Sequence, residues 1–227
     1  MSTEVNGIFV AAHELKSPLT ILRQLALSMD LDDAKALERT KMQMVSVSER
    51  ALNQVNDLTK VARLEDGLFT LEPVSIRAVC DDVMKELRFL YRENYRGVVE
   101  KYVNKSRLVI ANREMLYSVI YNFCSNAIRY SDEDTRIEVT VRDRKGKVEL
   151  NVRDFGPALP TKIWRDLKQG WINEPTAIAM RPGSSGLGLY IASKFSKYMN
   201  AEVSAVRHRD GTSFKLILPV SKQATLF

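Results

Sequence analysis

The chain has 227 residues, of which 45% are hydrophobic and 27% are charged, and its formal net charge is +6 at pH 7. These proportions are typical of a globular protein and exclude wholesale disorder. The basic residues are scattered rather than clustered, which argues against a nucleic-acid-binding protein. We expect no signal peptide and no membrane-spanning helix, because no apolar run approaches the roughly 20 residues that a span requires. Cys80 and Cys124 have no metal-ligand spacing and are predicted to be reduced, buried thiols.

Residues 1–66 are predicted to form an antiparallel helical hairpin. Apolar residues step by four and three along residues 8–29 and again along residues 37–62, which is the heptad pattern of helices that pack against partner helices. The acidic stretch 30–33 interrupts this pattern and offers N-cap side chains for the second helix. Because a lone two-helix hairpin buries little apolar surface, we expect two copies to pair into a four-helix bundle, which makes the protein a homodimer.

Residues 67–227 are predicted to form a two-layer α/β sandwich in which helices cover a largely antiparallel sheet, so the fold class is α+β. Strand patterns occupy residues 68–74, 98–103, 107–110, 136–142, 147–153, 203–207 and 213–219. Helix patterns occupy residues 76–90, 113–129 and 187–199. The segment 170–185 is rich in Gly, Pro, Ser and Asn and is predicted to be a loop.

His13 is one of only two histidines in the chain, and Glu14 follows it directly. It lies one position beyond the apolar Ala12 of the heptad pattern, so we expect it to face outward. A neutral imidazole can attack phosphorus, and Glu14 can hold or remove the proton on the other ring nitrogen. Taken alone, such a pair is better explained as a surface histidine on a helix. A zinc peptidase is excluded, because Ser17 stands where the His-Glu-x-x-His motif needs its second histidine.

Asn122 and Asn126 lie one helical turn apart, so both side chains project from one helix face. Amide oxygens are suitable ligands for Mg²⁺, which also keeps water and ATP phosphates in its coordination shell. Arg129 can neutralise phosphate charge, and Tyr130 can line a nucleotide pocket. Taken alone, two asparagines on a helix are also explained by solvation or capping.

Two further motifs suit a nucleotide. Asp154 follows a strand and can accept a hydrogen bond from an adenine amine, and Gly156 allows backbone to approach the ring closely. A strand that ends in a turn gives the same pattern. Farther along, the three glycines 183, 186 and 188 open a helix whose N-terminus favours phosphate anions. The loop before that helix lacks the Lys-Ser/Thr pair of a P-loop.

In this order the four motifs resemble those of sensor histidine kinases of two-component systems, over nearly the whole chain. Residues 13–19 look like the H box, 122–130 the N box, 154–160 the G1 box and 183–189 the G2 box. The resemblance implies a dimerisation and histidine-phosphotransfer hairpin, followed by a catalytic ATP-binding domain of the Bergerat type shared with gyrase and mismatch-repair ATPases. It also implies autophosphorylation of His13 by ATP and transfer to an aspartate of a response regulator.

The resemblance assigns roles to individual residues. The catalytic candidates are His13, Glu14 and Ser17, and the metal candidates are Asn126 and Asn122. The nucleotide candidates are Asn122, Asn126, Arg129, Tyr130, Asp154, Gly156, Gly183, Gly186, Leu187 and Gly188. We expect a cytoplasmic kinase core, with the full-length protein anchored in the bacterial inner membrane, and a hinge at residues 65–67.

The chain departs from the family pattern at several positions. Ala158 stands where the G1 box usually has a second glycine, and the usual Phe-rich box is not evident between residues 163 and 171. The hairpin between residues 13 and 37 looks one to two turns short. Ser17 occupies the position where Thr or Asn commonly supports phosphatase activity. Ala158 and the missing Phe-rich box give weight to one alternative, a non-catalytic dimeric scaffold that binds nucleotide. A second alternative is an ATPase or serine kinase that uses the same nucleotide fold, and the His13-Glu14 pair on a heptad helix argues against it.

Overall fold

The chain divides into two units whose boundary in the sequence lies between Glu65 and Asp66. The first unit includes Met1–Glu65, and the second includes Asp66–Asn173 and Gly188–Phe227. The structure is a computed structural model. It describes residues 2–93, 97–102, 107–132, 135–144, 146–159, 161, 164–165 and 187–221, with side chains described outside residues 2–14 and 89–93.

The first unit is the predicted helical hairpin. Helix α1 spans Ser2–Leu27 and helix α2 spans Ala34–Ala62. The predicted N-cap in the acidic stretch is Asp33, whose Oδ1 accepts hydrogen bonds from the backbone amides of Lys35 (2.9 Å) and Ala36 (3.1 Å). These bonds satisfy two of the amides that a helix start leaves without a partner. No described helix is long and apolar enough to cross a membrane.

Among the described side chains of the hairpin, residues 15–65, none is buried in the single chain. None of the described residues of α2 is buried, and the heptad residues Leu22, Leu37 and Leu58 are only half-buried. Large apolar side chains remain exposed along both helices, namely Leu19, Ile21, Leu27, Met42, Val45, Leu52 and Val55. An apolar surface of this extent is typical of a protein–protein interface.

The segment that follows α2 differs from its prediction. A 3-10 turn at Leu64–Asp66 leads to Gly67, whose φ of +67° is a left-handed conformation that glycine adopts without strain. Strand β1 is only Glu72–Val74 rather than residues 68–74. The reason is that side chains take the carbonyls of Phe69 and Thr70, which accept hydrogen bonds from Tyr198 Oη (2.8 Å) and Asn112 Nδ2 (3.1 Å).

The second unit contains the predicted helices and strands, with ends that shift by up to three residues. The helices are α3 (Ile76–Glu93), α4 (Arg113–Tyr130) and α5 (Leu187–Tyr198). The strands after β1 are β2 (Gly97–Tyr102), β3 (Val109–Ala111), β4 (Arg136–Arg144), β5 (Lys147–Arg153), β6 (Glu202–His208) and β7 (Gly211–Pro219). The predicted loop 170–185 lies outside the described residues.

The main sheet has the strand order β2-β4-β5-β7-β6, and β1 pairs with β3 in a small separate sheet. Only the β2–β4 pair of the main sheet is parallel, so the sheet is largely antiparallel as predicted. Along β5, Val148, Leu150 and Val152 are buried while their neighbours are not, which is the alternation of a sheet with one covered face. The predicted two-layer α/β sandwich is confirmed.

The core lies between this covered face and the helices. Helix α4 packs on β4 and β5, and Phe123 of α4 stacks on Phe214 of β7 with ring centroids 5.4 Å apart. Cys80 and Cys124 are buried and unbridged, as predicted. Burial raises the pKa of the Cys80 thiol well above its ordinary value and that of Cys124 to about 12, so both remain neutral thiols at physiological pH.

Candidate functional site

Helix α4 presents a row of three candidate residues. Its start is fixed by Asn112, whose Oδ1 accepts a hydrogen bond from the amide of Met115 (3.1 Å). Asn122, Asn126 and Tyr130 follow at intervals of four residues, and all three are half-buried. A helix rises about 1.5 Å per residue and repeats its faces every 3.6 residues, so the row extends about 12 Å along one face. The sequence prediction that Asn122 and Asn126 share a face is confirmed.

The first residue of the row is held against the start of α5. Asn122 Nδ2 donates a hydrogen bond to the carbonyl of Ser118 (2.9 Å), which leaves its amide oxygen directed toward Gly188. A Cβ at position 188 would lie only 2.5 Å from Asn122 Oδ1. Glycine is therefore required at position 188 if the amide oxygen is to keep this position.

The last residue of the row meets the segment after β5. A Cβ at Gly156 would overlap the carbonyl oxygen of Tyr130 and lie 2.9 Å from its carbonyl carbon. Beside this contact, the amide of Phe155 donates to Ser131 Oγ (3.4 Å), and the amide of Asp132 donates to the carbonyl of Phe155 (3.0 Å). Glycine at position 156 thus allows the backbone to approach the end of α4. The sequence predicted instead that this glycine lets the backbone approach a bound ring.

Asp154 is the buried acid of the site, with 3% of its surface exposed. Its amide donates to the carbonyl of Thr212 (2.9 Å), and its Oδ1 accepts from the amide of Thr212 (2.9 Å). Gly211, with φ +139°, lies so close that a Cβ there would overlap the Asp154 carbonyl oxygen. These contacts fix the carboxylate, and a fixed buried carboxylate can recognise a donor such as a base amine.

Thr212 is a site residue that the sequence analysis missed. It is fully buried beside Asp154, and its hydroxyl makes no hydrogen bond within the described part of the chain. Buried hydroxyls nearly always have a partner, so this one points to a ligand group. The strand pattern gave only a partial signal, because Thr212 is the polar member of the inward series that continues with Phe214, Leu216 and Leu218, and its position beside Asp154 is a tertiary contact.

The remaining nucleotide candidates lie at the edges of this region. Leu187 is the first residue of α5 and is fully buried, whereas Gly183 and Gly186 lie outside the described residues. Arg129 is exposed on the last turn of α4, with its Cζ 6.0 Å from the centroid of the Tyr130 ring. Among the described residues, no group of three or more His, Cys, Asp or Glu could hold a metal ion. Among the described residues of α4, the amide oxygens of Asn122 and Asn126 remain the candidate ligands for a cation.

The phosphoacceptor candidates belong to the other unit. His13 and Glu14 lie within α1, and their side chains are outside the described set. Ser17 lies four residues after His13 and is exposed. The prediction that His13 faces outward therefore remains a prediction, while the position of Ser17 one turn farther along the helix is consistent with a shared face.

Comparison with known proteins identifies the family. The model of the histidine kinase-, DNA gyrase B- and HSP90-like ATPases matches residues 111–222, which contain α4, Asp154 and Gly188. The chain is 28% identical over 217 residues to the sensor histidine kinase YkoH of Bacillus subtilis, with 94% of this chain and 46% of YkoH covered. These matches support a sensor histidine kinase with an ATP-binding domain. This kinase chain spans about half the length of the curated relatives that it matches first.

Solved histidine kinases share its fold. Histidine kinase AdeS of Acinetobacter baumannii superposes with a TM-score of 0.63 at 19% identity, with 92% of this kinase chain and 98% of the AdeS chain covered. Histidine kinase ThkA, solved in complex with the response regulator protein TrrA, superposes with a TM-score of 0.62 at 20% identity, with 93% of this chain and 61% of the ThkA chain covered. At these identities the likeness shows the fold alone.

Proposed function

We propose that the second unit binds ATP and that its γ-phosphoryl group is transferred to His13. The observation that carries the proposal is the pair formed by the buried Asp154 carboxylate and the Thr212 hydroxyl, which makes no hydrogen bond to any described residue. An adenine amine and a neighbouring ring nitrogen would supply a donor and an acceptor to such a pair. The α4 row then leads from the base toward Gly188, where the start of α5 favours the phosphates.

Mg²⁺ fits the polar residues of α4. Asn122 and Asn126 would hold the ion through their amide oxygens. The Asn122 oxygen is directed toward Gly188, because its Nδ2 donates to the carbonyl of Ser118. When bound, the ion neutralises charge on the triphosphate. The residues of the chain orient the nucleotide, and positioning supplies much of the rate in phosphoryl transfer.

His13 is proposed as the phosphoacceptor. Its neutral imidazole attacks the γ-phosphorus, a nitrogen–phosphorus bond forms, and ADP leaves as the bond to the β–γ bridging oxygen breaks. Glu14 holds or removes the proton on the other ring nitrogen. In this proposal His13 and Glu14 act together, and Asp154 and Thr212 serve binding alone.

The homodimer is part of the proposal. Leu19 is 60% exposed and Leu52 is 61% exposed in the single chain, and no described residue of α2 is buried. Pairing of two hairpins into a four-helix bundle would cover these side chains. The partner of the dimer is proposed to be a response regulator receiver domain, whose aspartate takes the phosphate from His13. This choice is supported by ThkA, which shares the fold of this chain and was solved in complex with the response regulator protein TrrA.

Ser17 is proposed to support dephosphorylation of that regulator. Its hydroxyl is exposed one helical turn beyond His13 and can orient a water molecule for attack on the acyl phosphate. We further propose that the kinase core acts in the cytoplasm, as part of a larger protein anchored in the bacterial inner membrane.

Labelled ATP tests the proposal directly. The full chain incubated with γ-labelled ATP and Mg²⁺ should acquire acid-labile, alkali-stable label, and His13→Gln should abolish it while ATP still binds. The matched control is His208→Gln, because His208 lies in the other unit, where its Nε2 is hydrogen-bonded to Ser213 Oγ (2.9 Å). Bound nucleotide without label would indicate the non-catalytic scaffold, and free phosphate without labelled protein would indicate an ATPase.

A further inference from the structure

Arg153 and Phe155 flank the buried Asp154, and their side chains lie on the opposite side of the chain. Residues of a strand alternate between the two faces of a sheet. Val148, Leu150 and Val152 of β5 are buried on the covered face, so Arg153 projects from the other face. There the guanidinium carbon of Arg153 lies 4.5 Å from the centroid of the Phe155 ring, which is cation–π distance.

Arg153 also reaches the turn between β6 and β7. Its guanidinium donates to Asp210 Oδ1 at 2.9 Å. Asp210 directly precedes Gly211 and Thr212, the residues whose backbone holds Asp154 from the other side. The ion pair therefore links Arg153, which precedes Asp154, to Asp210, which precedes the backbone partners of Asp154.

The two partners of this ion pair differ in how far they are exposed to solvent. The Arg153 side chain is 18% exposed and the Asp210 side chain is 66% exposed. An ion pair with one partner this exposed contributes little to global stability. Its effect is local, because it fixes the turn between β6 and β7 against the end of β5, next to Asp154.

From these contacts we infer that Arg153 and Asp210 are positioning residues for base recognition, which hold the Asp154 carboxylate and the Thr212 hydroxyl at a fixed separation. The inference rests on the proposed function, in which Asp154 accepts a hydrogen bond from the adenine amine. In this inference the pair acts through Asp154 and Thr212, and not by contacting the nucleotide itself. It sets the discrimination between purine bases rather than the transfer step.

The chain offers a matched control in a second ion pair of the same sheet. Lys147 at the start of β5 pairs with Glu202 at the start of β6, and both side chains are exposed. This pair lies at the opposite end of β5 from Asp154, since β5 runs from Lys147 to Arg153. Glu202→Gln therefore removes another ion pair of the same sheet without changing the surroundings of Asp154.

The test measures binding of ADP and of inosine diphosphate, which lacks the amine, by calorimetry on the full chain. Asp210→Asn should raise the Kd of ADP about three- to fivefold, within the range allowed for an exposed ion pair, and leave the Kd of inosine diphosphate nearly unchanged. Asp210→Glu should retain the discrimination of the parent. Arg153→Gln should match Asp210→Asn, and the double variant should be no worse than either single variant, because both remove one interaction.

Equal weakening of both nucleotides in Asp210→Asn, or the same change in Glu202→Gln, would assign the pair a purely structural role and overturn the inference. If the parent binds ADP and Asp210→Asn discriminates between the two nucleotides as the parent does, the inference is also overturned, while the proposed function stays intact. A parent that binds neither nucleotide would overturn the proposed function itself.

Discussion

Gly188→Ala places a methyl group where the structure has no room for one. The new Cβ would lie 2.5 Å from Asn122 Oδ1 and 3.2 Å from Asn122 Cγ. Carbon and oxygen atoms that are not bonded approach to about 3.3 Å, so the amide oxygen must retreat by roughly 1 Å. The neighbour is a side chain rather than backbone, which lets the fold survive the change.

Two opposing effects keep the free energy of unfolding nearly constant. Displacing the Asn122 amide weakens its hydrogen bond to Ser118, a loss of about 0.5–1.5 kcal/mol. Alanine near the start of α5 favours the helix over glycine by up to about 1 kcal/mol. We therefore expect a net change within about 1 kcal/mol, which corresponds to about 2–4 °C in Tm for a chain of this length.

Nucleotide binding should respond differently. If Asn122 is a ligand of Mg²⁺, a shift of this size removes it from the octahedral shell, which tolerates little distortion. We expect the Kd of ADP in the presence of Mg²⁺ to rise about tenfold, equivalent to about 1.4 kcal/mol, and the Kd in EDTA to change much less.

The assay is calorimetry with Mg²⁺ and with EDTA, accompanied by thermal unfolding. Gly97→Ala is the control, because the nearest atom to its new Cβ is Arg136 Cβ at 3.9 Å. An unchanged Mg²⁺-dependent affinity in Gly188→Ala would refute the role assigned to the Asn122 oxygen. A fall in Tm beyond about 5 °C would refute the argument that the displacement is local.

Four further outcomes are expected. Asp154→Asn should weaken ADP binding by at least about tenfold, because a hydrogen bond to a charged acceptor contributes about 1.5–3 kcal/mol. The measurement is calorimetry, and an unchanged Kd of ADP would contradict the role of Asp154. Gly156→Ala should lower the free energy of unfolding in urea by about 1–3 kcal/mol, since its Cβ meets backbone of Tyr130; a smaller loss would contradict that contact. Leu19→Asp should dissociate or unfold the homodimer in light scattering, and a parent that is already monomeric at micromolar concentration would show the dimer prediction wrong. Ser17→Ala should lose phosphatase activity toward the phosphorylated regulator and keep autophosphorylation, whereas unchanged phosphatase activity would make Ser17 structural.

Long periodic elements were predictable from the sequence, and the reason is physical. Helix α2 follows a heptad pattern and begins at an acidic cap, so periodicity and capping agree on its bounds. Strand β5 alternates buried residues with exposed or half-buried ones over its whole length. The row of Asn122 and Asn126 followed from helix geometry alone. Local signals were sufficient wherever neighbouring residues decide the conformation.

Features that depend on distant contacts were harder to predict. The strand pattern of residues 68–74 is overridden by Asn112 and Tyr198, which take backbone carbonyls that a ladder would need. Thr212 reads as an ordinary strand residue until Asp154, 58 positions earlier, is known to lie beside it. Both cases require knowledge of tertiary contacts that no local pattern contains.

The hydrogen bonds to the carbonyls of Phe69 and Thr70 have a practical consequence for chimeric proteins. Because Tyr198 and Asn112 hold these two residues, the segment from Phe69 onward is structurally a part of the sandwich. Gly67, by contrast, has no atom within 4 Å of an added Cβ and sits in a left-handed turn. A graft of this sandwich onto a foreign helical hairpin should therefore be spliced at Gly67, since a splice after Leu71 would remove the Phe69 ring that contacts Tyr198 and make both hydrogen bonds depend on the backbone path of the foreign segment.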